Sequence, residues 1–167
     1  AISADLAMKG RDHFVAGYWE GLRVSIEIDK DKSSGREIET DLQKLMVTRG
    51  VGRSQTVADS DGLGSYLESY LNGIKEFKNG ASAFNNKYAN LKAECAYKLA
   101  EMINKRQLQI ICRPDQAEHI AEELQLLIAA NVDKDTRKKD IISKEAMKGI
   151  TKRSPDYLDM LIMGMYR

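Results

Sequence analysis

The order of apolar and polar residues predicts a group of strands followed mainly by helices. Residues 1–8 alternate, with the more apolar side chains at the even positions, which predicts a half-buried strand. Residues 13–21 and 22–30 contain many β-branched and aromatic residues, so they predict the second and third strands of an antiparallel meander. From residue 34 the apolar positions are three or four apart, which predicts a helix that ends near Gly50.

The rest of the chain predicts short strands between longer helices, in a mixed α/β or α+β pattern. Extended segments are expected just before Asp59 and over residues 74–77, 108–112 and 136–143. Helices are expected over residues 63–71, 86–106 and 114–130, and a last helix is expected from Ser154.

The last helix combines an apolar sequence with two aspartates. Ser154 is a suitable N-cap, Pro155 suits the first helical position, and Asp156 in the first turn complements the helix dipole. Asp159 has no such explanation, because apolar residues surround it on every face of the helix. A buried carboxylate needs an ion pair, hydrogen bonds or a metal ion, since it has lost its solvation. Asp156 and Asp159 are three residues apart, so both can point to the same place.

Composition fits one globular domain over residues 1–167. The chain is 43% hydrophobic and 31% charged, which indicates a sizeable core and argues against a disordered or fibrous chain. Because it has no apolar run long enough to span a bilayer and no signal-peptide pattern, a cytoplasmic protein without membrane contact is expected. Cys95 and Cys112 lack metal-ligand spacing and are expected to be buried, reduced thiols.

Basic residues concentrate just before the last helix, although the net charge of the chain is only +1. Segment 134–153 is rich in lysine and arginine and contains few acids. Such a segment is often only a solvated surface, but beside a catalytic site it becomes a candidate for phosphate binding. The candidate DNA-binding residues within it are Lys139, Lys144, Lys152 and Arg153.

Three aspartates from separate segments are candidate ligands of a catalytic metal centre. Asp5 lies within the first strand, where aspartate is uncommon, and Asp59 ends a later strand. If these strands are neighbours, their backbones lie about 4.8 Å apart, and a helix packed across the sheet can add Asp159. All-oxygen ligands suit Mg²⁺ or Mn²⁺. Two such ions can activate a water and stabilise the leaving oxygen in phosphodiester cleavage.

Each acid also has a structural interpretation. Asp5 can face solvent from the more polar side of its strand, and Asp59 can serve in a turn. Asp12 and Asp61 are interpreted as turn residues. Neither histidine, at positions 13 and 119, is expected to act as a general base, so water activation would depend on the metal ions.

Four stretches together resemble the nuclease domain of the large terminase subunits of tailed phages. In chain order they are SADLAMKGRDHFVAGYW, TVADSDGLGSYLESYL, FNNKYANLKAECAYKLAEMINKRQLQI and KRSPDYLDMLIM. They cover nearly the whole chain. The last stretch, in which Ser-Pro-Asp-x-x-Asp follows a basic residue and precedes apolar residues, is the most specific of the four.

The resemblance implies an RNase H-like fold, a mixed α/β sheet flanked by helices, that uses two Mg²⁺ or Mn²⁺ ions to cut concatemeric viral DNA during packaging. It implies Asp5, Asp59 and Asp159 as catalytic ligands, with Asp156 as a further metal-binding or site-shaping residue. It also implies the terminase ATPase domain, the small terminase subunit and the portal as partners, in the cytoplasm of a bacterial host. The chain has no phosphate-binding loop of the ATPase type, so a single nuclease domain excised from a longer chain is expected.

Other functions are compatible with the same residues. A junction resolvase of the same fold would prefer branched DNA. A catalytically inactive module would only bind DNA or dock on the packaging motor or portal. An actin-like nucleotide-binding domain is a further alternative, although Gly62 and Gly64 lack the third glycine of a dinucleotide-binding loop.

Overall fold

The chain is built around a six-stranded mixed sheet. The computed structural model describes residues 1–6, 13–31, 33–59, 70–130 and 138–166. The strands are β1 (Ile2–Asp5), β2 (His13–Glu20), β3 (Arg23–Asp31), β4 (Thr56–Asp59), β5 (Lys75–Phe77) and β6 (Gln109–Ile111), in the order β5-β4-β1-β2-β3-β6. β1, β2 and β3 are antiparallel neighbours, as the meander predicted, whereas β4 pairs with β1 in parallel.

Helices cover both faces of the sheet. They are α1 (Gly35–Arg49), α2 (Leu91–Asn104), α3 (Pro114–Leu124), α4 (Lys144–Thr151) and α5 (Asp156–Gly164). A short ribbon of β7 (Ala129–Ala130) and β8 (Asp140–Ile141) lies between α3 and α4 in the chain. The core divides into two clusters: α1 belongs to one, and α2, α3, α4 and α5 contribute to the other.

The first helix confirms its sequence prediction. Ser34 and Glu37 form a capping box at the N-terminus of α1, and Gly50 ends the helix with a φ of 61°. The predicted strands that end at Asp59 and begin near Lys75 are β4 and β5. The predicted helix over residues 63–71 lies almost entirely outside the described residues.

Two predicted helices are too long. α2 begins at Leu91 rather than at residue 86, because the side chain of Asn90 accepts a hydrogen bond from Ala93 N and caps the helix there. α3 ends at Leu124 rather than near Ala130, and the apolar residues that follow turn into β7. After α3 the apolar residues Leu126, Leu127 and Ile128 continue beyond the point where helical hydrogen bonding stops.

Other sequence predictions were wrong in detail, and one helix was not predicted. β1 is buried on both faces instead of one, because it is a central strand that helices cover on each side. α4 was not predicted, and it begins in the basic segment at its N-cap Ser143. α5 begins at Asp156 with Pro155 in the N-cap position, and Ser154 makes no capping hydrogen bond. Cys112 is only half-buried, whereas Cys95 is buried, and both are free thiols.

Helix α5 lies unusually close to the sheet. The Oγ of Ser3 donates a hydrogen bond to the carbonyl oxygen of Met160 at 2.8 Å, and Nε1 of Trp19 donates to Ser3 Oγ at 2.8 Å. Both elements rely on glycine for this approach. A Cβ on Gly164 would lie 2.0 Å from Cζ2 of Trp19, and one on Gly17 would lie 2.7 Å from the sulfur of Met160.

The first turn of α5 is held by side chains from other elements. Leu158 N donates to Oε2 of Glu123 on α3 at 2.9 Å, which satisfies an amide that the local N-cap leaves without a partner. The hydroxyl of Tyr157 donates to Asp29 Oδ2 on β3 at 2.7 Å. His13 N donates to Asp156 Oδ2 at 2.8 Å. The position of the two helix aspartates is therefore fixed from β2, β3 and α3.

None of the described helices is long and apolar enough to cross a membrane.

Replacement of Gly164 by alanine should destabilise the protein. The new Cβ would overlap Trp19, and overpacking of this kind costs about 1–3 kcal/mol. Gly149→Ala is the matched control, since nothing lies within 4 Å of its Cβ and it is a helical position. Thermal unfolding should show a lower Tm for Gly164→Ala and an equal or higher Tm for Gly149→Ala. An unchanged Tm in Gly164→Ala would contradict the close approach of α5.

Glu123 should stabilise α5 as a hydrogen-bond acceptor rather than as a charge. Glu123→Ala removes the acceptor of Leu158 N and opens a cavity, so urea unfolding should show a loss of about 2–4 kcal/mol. Glu123→Gln keeps an acceptor and should lose much less. Equal losses in the two variants would show that the hydrogen bond to Leu158 is unimportant.

A comparison of the wild type with Glu123→Gln at different pH values should reveal the protonation of Glu123. Burial raises the pKa of Glu123 from 4.5 to about 8, while the hydrogen bond from Leu158 N and the charge of Arg153 oppose the shift. An acid whose pKa is higher in the folded protein stabilises the fold while protonated. Its contribution is complete below pH 4.5 and is lost as the pH rises through about 8. As the pH rises through this range, the wild type should lose unfolding free energy and Glu123→Gln should not. The difference in unfolding free energy between the two proteins should therefore shift in favour of Glu123→Gln.

Candidate metal and nucleic-acid site

Four aspartates meet at one end of the sheet. Because β1 and β4 are parallel and Ala4 pairs with Ala58, their last residues, Asp5 and Asp59, lie at the same edge. Helix α5 adds Asp156 and Asp159. Burial raises the pKa of Asp5 well above its ordinary value, and the negative charges of Asp159, Asp156 and Asp59 raise it further. The predicted acids are thus brought within electrostatic reach of one another.

Two lysines hold the carboxylate of Asp159. Asp159 is only 4% exposed, and its Oδ1 and Oδ2 lie 2.6 Å from Lys92 Nζ and 2.8 Å from Lys144 Nζ. Burial alone would raise the pKa of Asp159, but the two ammonium groups more than offset this and hold it below its ordinary value. Burial would also lower the pKa of Lys144, yet Asp159 and Asp5 raise it above its ordinary value.

The charge of the cluster is therefore unevenly distributed. The two ammonium groups favour the ionised form of Asp159, whereas burial and the neighbouring acids favour the protonated form of Asp5. A cation near these oxygens would reverse that preference, because it stabilises the ionised form.

The donor atoms fit a hard divalent cation. All four candidate ligands are carboxylates, which Mg²⁺ and Mn²⁺ prefer. Oδ1 of Asp156 is buried without a hydrogen-bond partner in the described part of the chain, while its other oxygen accepts from His13 N. Within the same described ranges, no three acidic, histidine or cysteine side chains already stand in ligand geometry. Lys92 and Lys144 occupy the oxygens of Asp159 instead.

Sequence reasoning missed Lys92 and Asn79. Lys92 lies in the first turn of α2, and its side chain is only 14% exposed. The predicted helix began at residue 86, so the sequence did not show that Lys92 lies in the first turn. Asn79 follows β5, and its Nδ2 donates a hydrogen bond to Asp59 Oδ2 at 3.3 Å. One signal in the sequence could have pointed to a residue such as Lys92: a buried Asp159 requires a positively charged partner.

The candidate DNA-binding residues have different surroundings. Lys144 lies in the acidic cluster, whereas Lys139 is exposed and its Nζ lies 5.4 Å from the centre of the Tyr97 ring. Lys152 Nζ donates to the carbonyl oxygen of Gly149. Arg153 forms an ion pair with Glu122 at 2.7 Å. The basic residues of this segment therefore have three kinds of surroundings: the acidic cluster, the exposed surface and the contact with helix α3.

The histidines also differ from one another. His13 lies near the cluster, but its ring nitrogens face Asp29 at 3.4 Å and Asp31 at 2.9 Å. His119 lies on α3, and its carbonyl oxygen accepts from Arg153. Asp12, Asp61, Lys134 and Arg137 lie outside the described residues.

No protein-family model matches the chain, and no curated protein matches it in sequence. Solved structures do match it. The nuclease domain of the large terminase subunit gp2 of bacterial virus Sf6 superimposes with a TM-score of 0.77 at 17% identity, over 98% of this chain and 86% of that chain. A mutant of that domain with manganese and beta-thujaplicinol gives a TM-score of 0.80 at 17% identity, over 98% of this chain and 86% of that chain.

A more distant match is the large terminase nuclease from thermophilic phage G20c. Its TM-score is 0.61 at 16% identity, and the alignment covers 99% of this chain and 80% of that chain. These alignments cover 98–99% of this chain, so the similarity extends over nearly its whole length. The chain therefore has the fold that its sequence resemblance predicted, the RNase H-like α/β fold of the nuclease domains of phage large terminase subunits.

Proposed function

We propose that this chain is a divalent-metal-dependent endonuclease that cuts concatemeric viral DNA during genome packaging. Its fold, shared with phage terminase nucleases, supports this function. The observation that carries the proposal is the convergence of Asp5, Asp59, Asp156 and Asp159 at one end of the sheet. Acids are rarely buried together without a cation, because each raises the pKa of the others and loses solvation.

In this proposal Asp5, Asp59 and Asp159 are the catalytic ligands and Asp156 is a further ligand. Two bound Mg²⁺ or Mn²⁺ ions would supply an activated water and stabilise the leaving oxygen of the phosphodiester. The manganese in the related Sf6 structure is consistent with this choice of metal. To hold a metal ion, Asp159 would have to release at least one of its lysines, and Asp5 would bind in its ionised form.

The remaining residues position these ligands. Glu123, Asp29 and the backbone of His13 fix the first turn of α5, so that Asp156 and Asp159 face the end of the sheet. The two imidazole rings have no role in proton transfer in this proposal. The His13 ring is engaged by Asp29 and Asp31, and His119 is on α3.

DNA phosphates are proposed to contact Lys139, Lys144, Lys152 and Arg153. Lys139 is exposed, which suits a phosphate contact. Arg153 would have to leave Glu122 first. By the same reasoning from terminase nucleases, the partners are double-stranded DNA, the terminase ATPase domain, the small subunit and the portal, in the host cytoplasm.

A catalytically inactive DNA or portal docking module is the second candidate. The specific observation in its favour is that Lys92 and Lys144 already neutralise Asp159. A site balanced in this way is stable without metal, and such an ion-pair network can serve structure alone.

Plasmid nicking with Mn²⁺, Mg²⁺ or chelator separates the two candidates. The wild type should cut in either metal and stop in chelator, and Asp159→Asn and Asp5→Asn should each lose at least about 100-fold of the rate. Glu101→Gln is the control, since this acid is 55% exposed and pairs with Lys105 at the C-terminal end of α2. Cutting that persists in chelator would exclude the two-metal mechanism. No Mn²⁺ binding in calorimetry would favour the docking module.

Replacement of a basic residue that contacts a phosphate should reduce the salt dependence of DNA binding. Removal of one phosphate contact lowers the slope of log K against log salt by about 0.9. Fluorescence anisotropy with a short duplex should give this decrease for Lys139→Gln. Lys30→Gln should leave the slope unchanged, since Lys30 pairs with Asp41 of α1. An unchanged slope for Lys139→Gln would remove that residue from the proposed DNA surface.

A further inference from the structure

A cleft opens beside Asp159, and the apolar residues Ile141 and Ile142 form part of its lining. Its volume is about 310 Å³, and the polar and charged side chains that line it are Asn79, Asn90, Lys92, Asp140, Ser143 and Lys144. Lys92 and Lys144 connect the cleft directly to Asp159, and Asn79 connects it to Asp59. The cleft is therefore continuous with the proposed catalytic centre but extends beyond its ligands.

The cleft is electrostatically suited to an anion. The N-termini of α2 and α4 both border it, with Asn90 and Ser143 as their N-caps. Helix N-termini carry partial positive charge, which adds to the charge of the two ammonium groups. Asp140 is the opposing charge in the lining, and its Oδ1 accepts a hydrogen bond from Ile141 N. The Oδ1 of Asn90 accepts from Ala93 N, which leaves its Nδ2 as a donor for a ligand.

We propose that this cleft binds a backbone phosphate of the cut DNA strand, next to the scissile phosphate, and that Lys92 contacts it. The proposal rests on the nuclease function proposed above. It adds a phosphate subsite and a residue outside the basic segment of the sequence.

Lys92 has a physical reason to exchange Asp159 for phosphate. Its ammonium group lies 2.6 Å from Asp159 Oδ1, an oxygen that a bound cation would need. A dication at that oxygen would repel the ammonium group about twice as strongly as a single positive charge would. The flexible stem of lysine lets the ammonium group move within the cleft. A phosphate in the cleft would give it a new anionic partner.

Lys144 is less free to make this exchange. Asp159, Asp5 and Asp156 all attract its ammonium group, so it keeps acidic neighbours when one of them binds a cation. Lys92 forms its ion pair with Asp159. Lys92 is therefore the residue whose partner changes between the metal-free site and the site with DNA.

The test compares Lys92→Gln with Lys105→Gln. Lys105 follows the other end of α2, is 55% exposed and pairs with Glu101, so its replacement removes the same charge away from the cleft. Binding of a short DNA duplex is measured by fluorescence anisotropy in Ca²⁺ at several salt concentrations. Lys92→Gln should lower the affinity about tenfold at 0.1 M salt and the salt slope by about 0.9, because one phosphate contact is lost. Lys105→Gln should match the wild type, and Lys92→Arg should restore most of the affinity.

Mn²⁺ binding without DNA gives a second measurement, by electron paramagnetic resonance. Lys92→Gln should bind Mn²⁺ at least as tightly as the wild type, because a competing ammonium group has been removed. If Lys92→Gln binds DNA with wild-type affinity and slope, the proposal is overturned. Weaker Mn²⁺ binding together with a lower Tm would also overturn it, since Lys92 would then serve only the structure of the site.

The two proposals fail in different ways. If the wild type cuts DNA but Lys92→Gln binds DNA normally, the nuclease function stands and the phosphate subsite is wrong. If the wild type does not cut in Mn²⁺ but Lys92→Gln still loses affinity, the cleft binds phosphate in a protein that is not a nuclease.

Discussion

The buried negative charge of Asp159 is the constraint on which the rest of the site depends. A carboxylate that is 4% exposed requires positive charge beside it. In the described structure Lys92 and Lys144 supply that charge, from the first turns of α2 and α4. Both helices consequently direct their N-termini to the same end of the sheet. One charge in the core thus links the N-termini of two helices and the cleft between them.

The position of Asp159 beside its two lysines depends on the close packing of α5 on the sheet. Gly17 and Gly164 leave room for Met160 and Trp19, and Ser3 links the indole of Trp19 to the backbone of α5. The approach fixes the middle and the end of the helix. Glu123 and Asp29 fix its first turn. A helix held along its whole length can carry two acids into the core, because the positions of their oxygens do not depend on flexible segments.

The sequence predicts the framework well where local signals and burial agree. The meander and α1 follow from alternation, capping residues and turns, whereas the parallel pairing of β1 with β4 comes from the structure. Helix ends were less predictable: α3 stops at Leu124 although apolar residues continue, because tertiary packing rather than propensity decides where its hydrogen bonds end. Asp5 and Asp159 stood out because an aspartate is unusual within a strand and within an apolar helix. Lys92 and Glu123 were missed because a lysine or glutamate in a helix looks ordinary until the residue it contacts is known.

The ion pairs of Lys92 and Lys144 with Asp159 bear on both candidate functions. With Asp159 neutralised, the fold does not need a metal ion, so a metal ion has to compete with an ammonium group for the same oxygen. An anion that draws Lys92 away would weaken this competition and strengthen metal binding. By thermodynamic linkage, a metal ion would strengthen the binding of that anion to the same extent. In the proposed nuclease, such a site would assemble its cations most readily when DNA is present, which would limit metal binding, and therefore cleavage, to the complex with DNA.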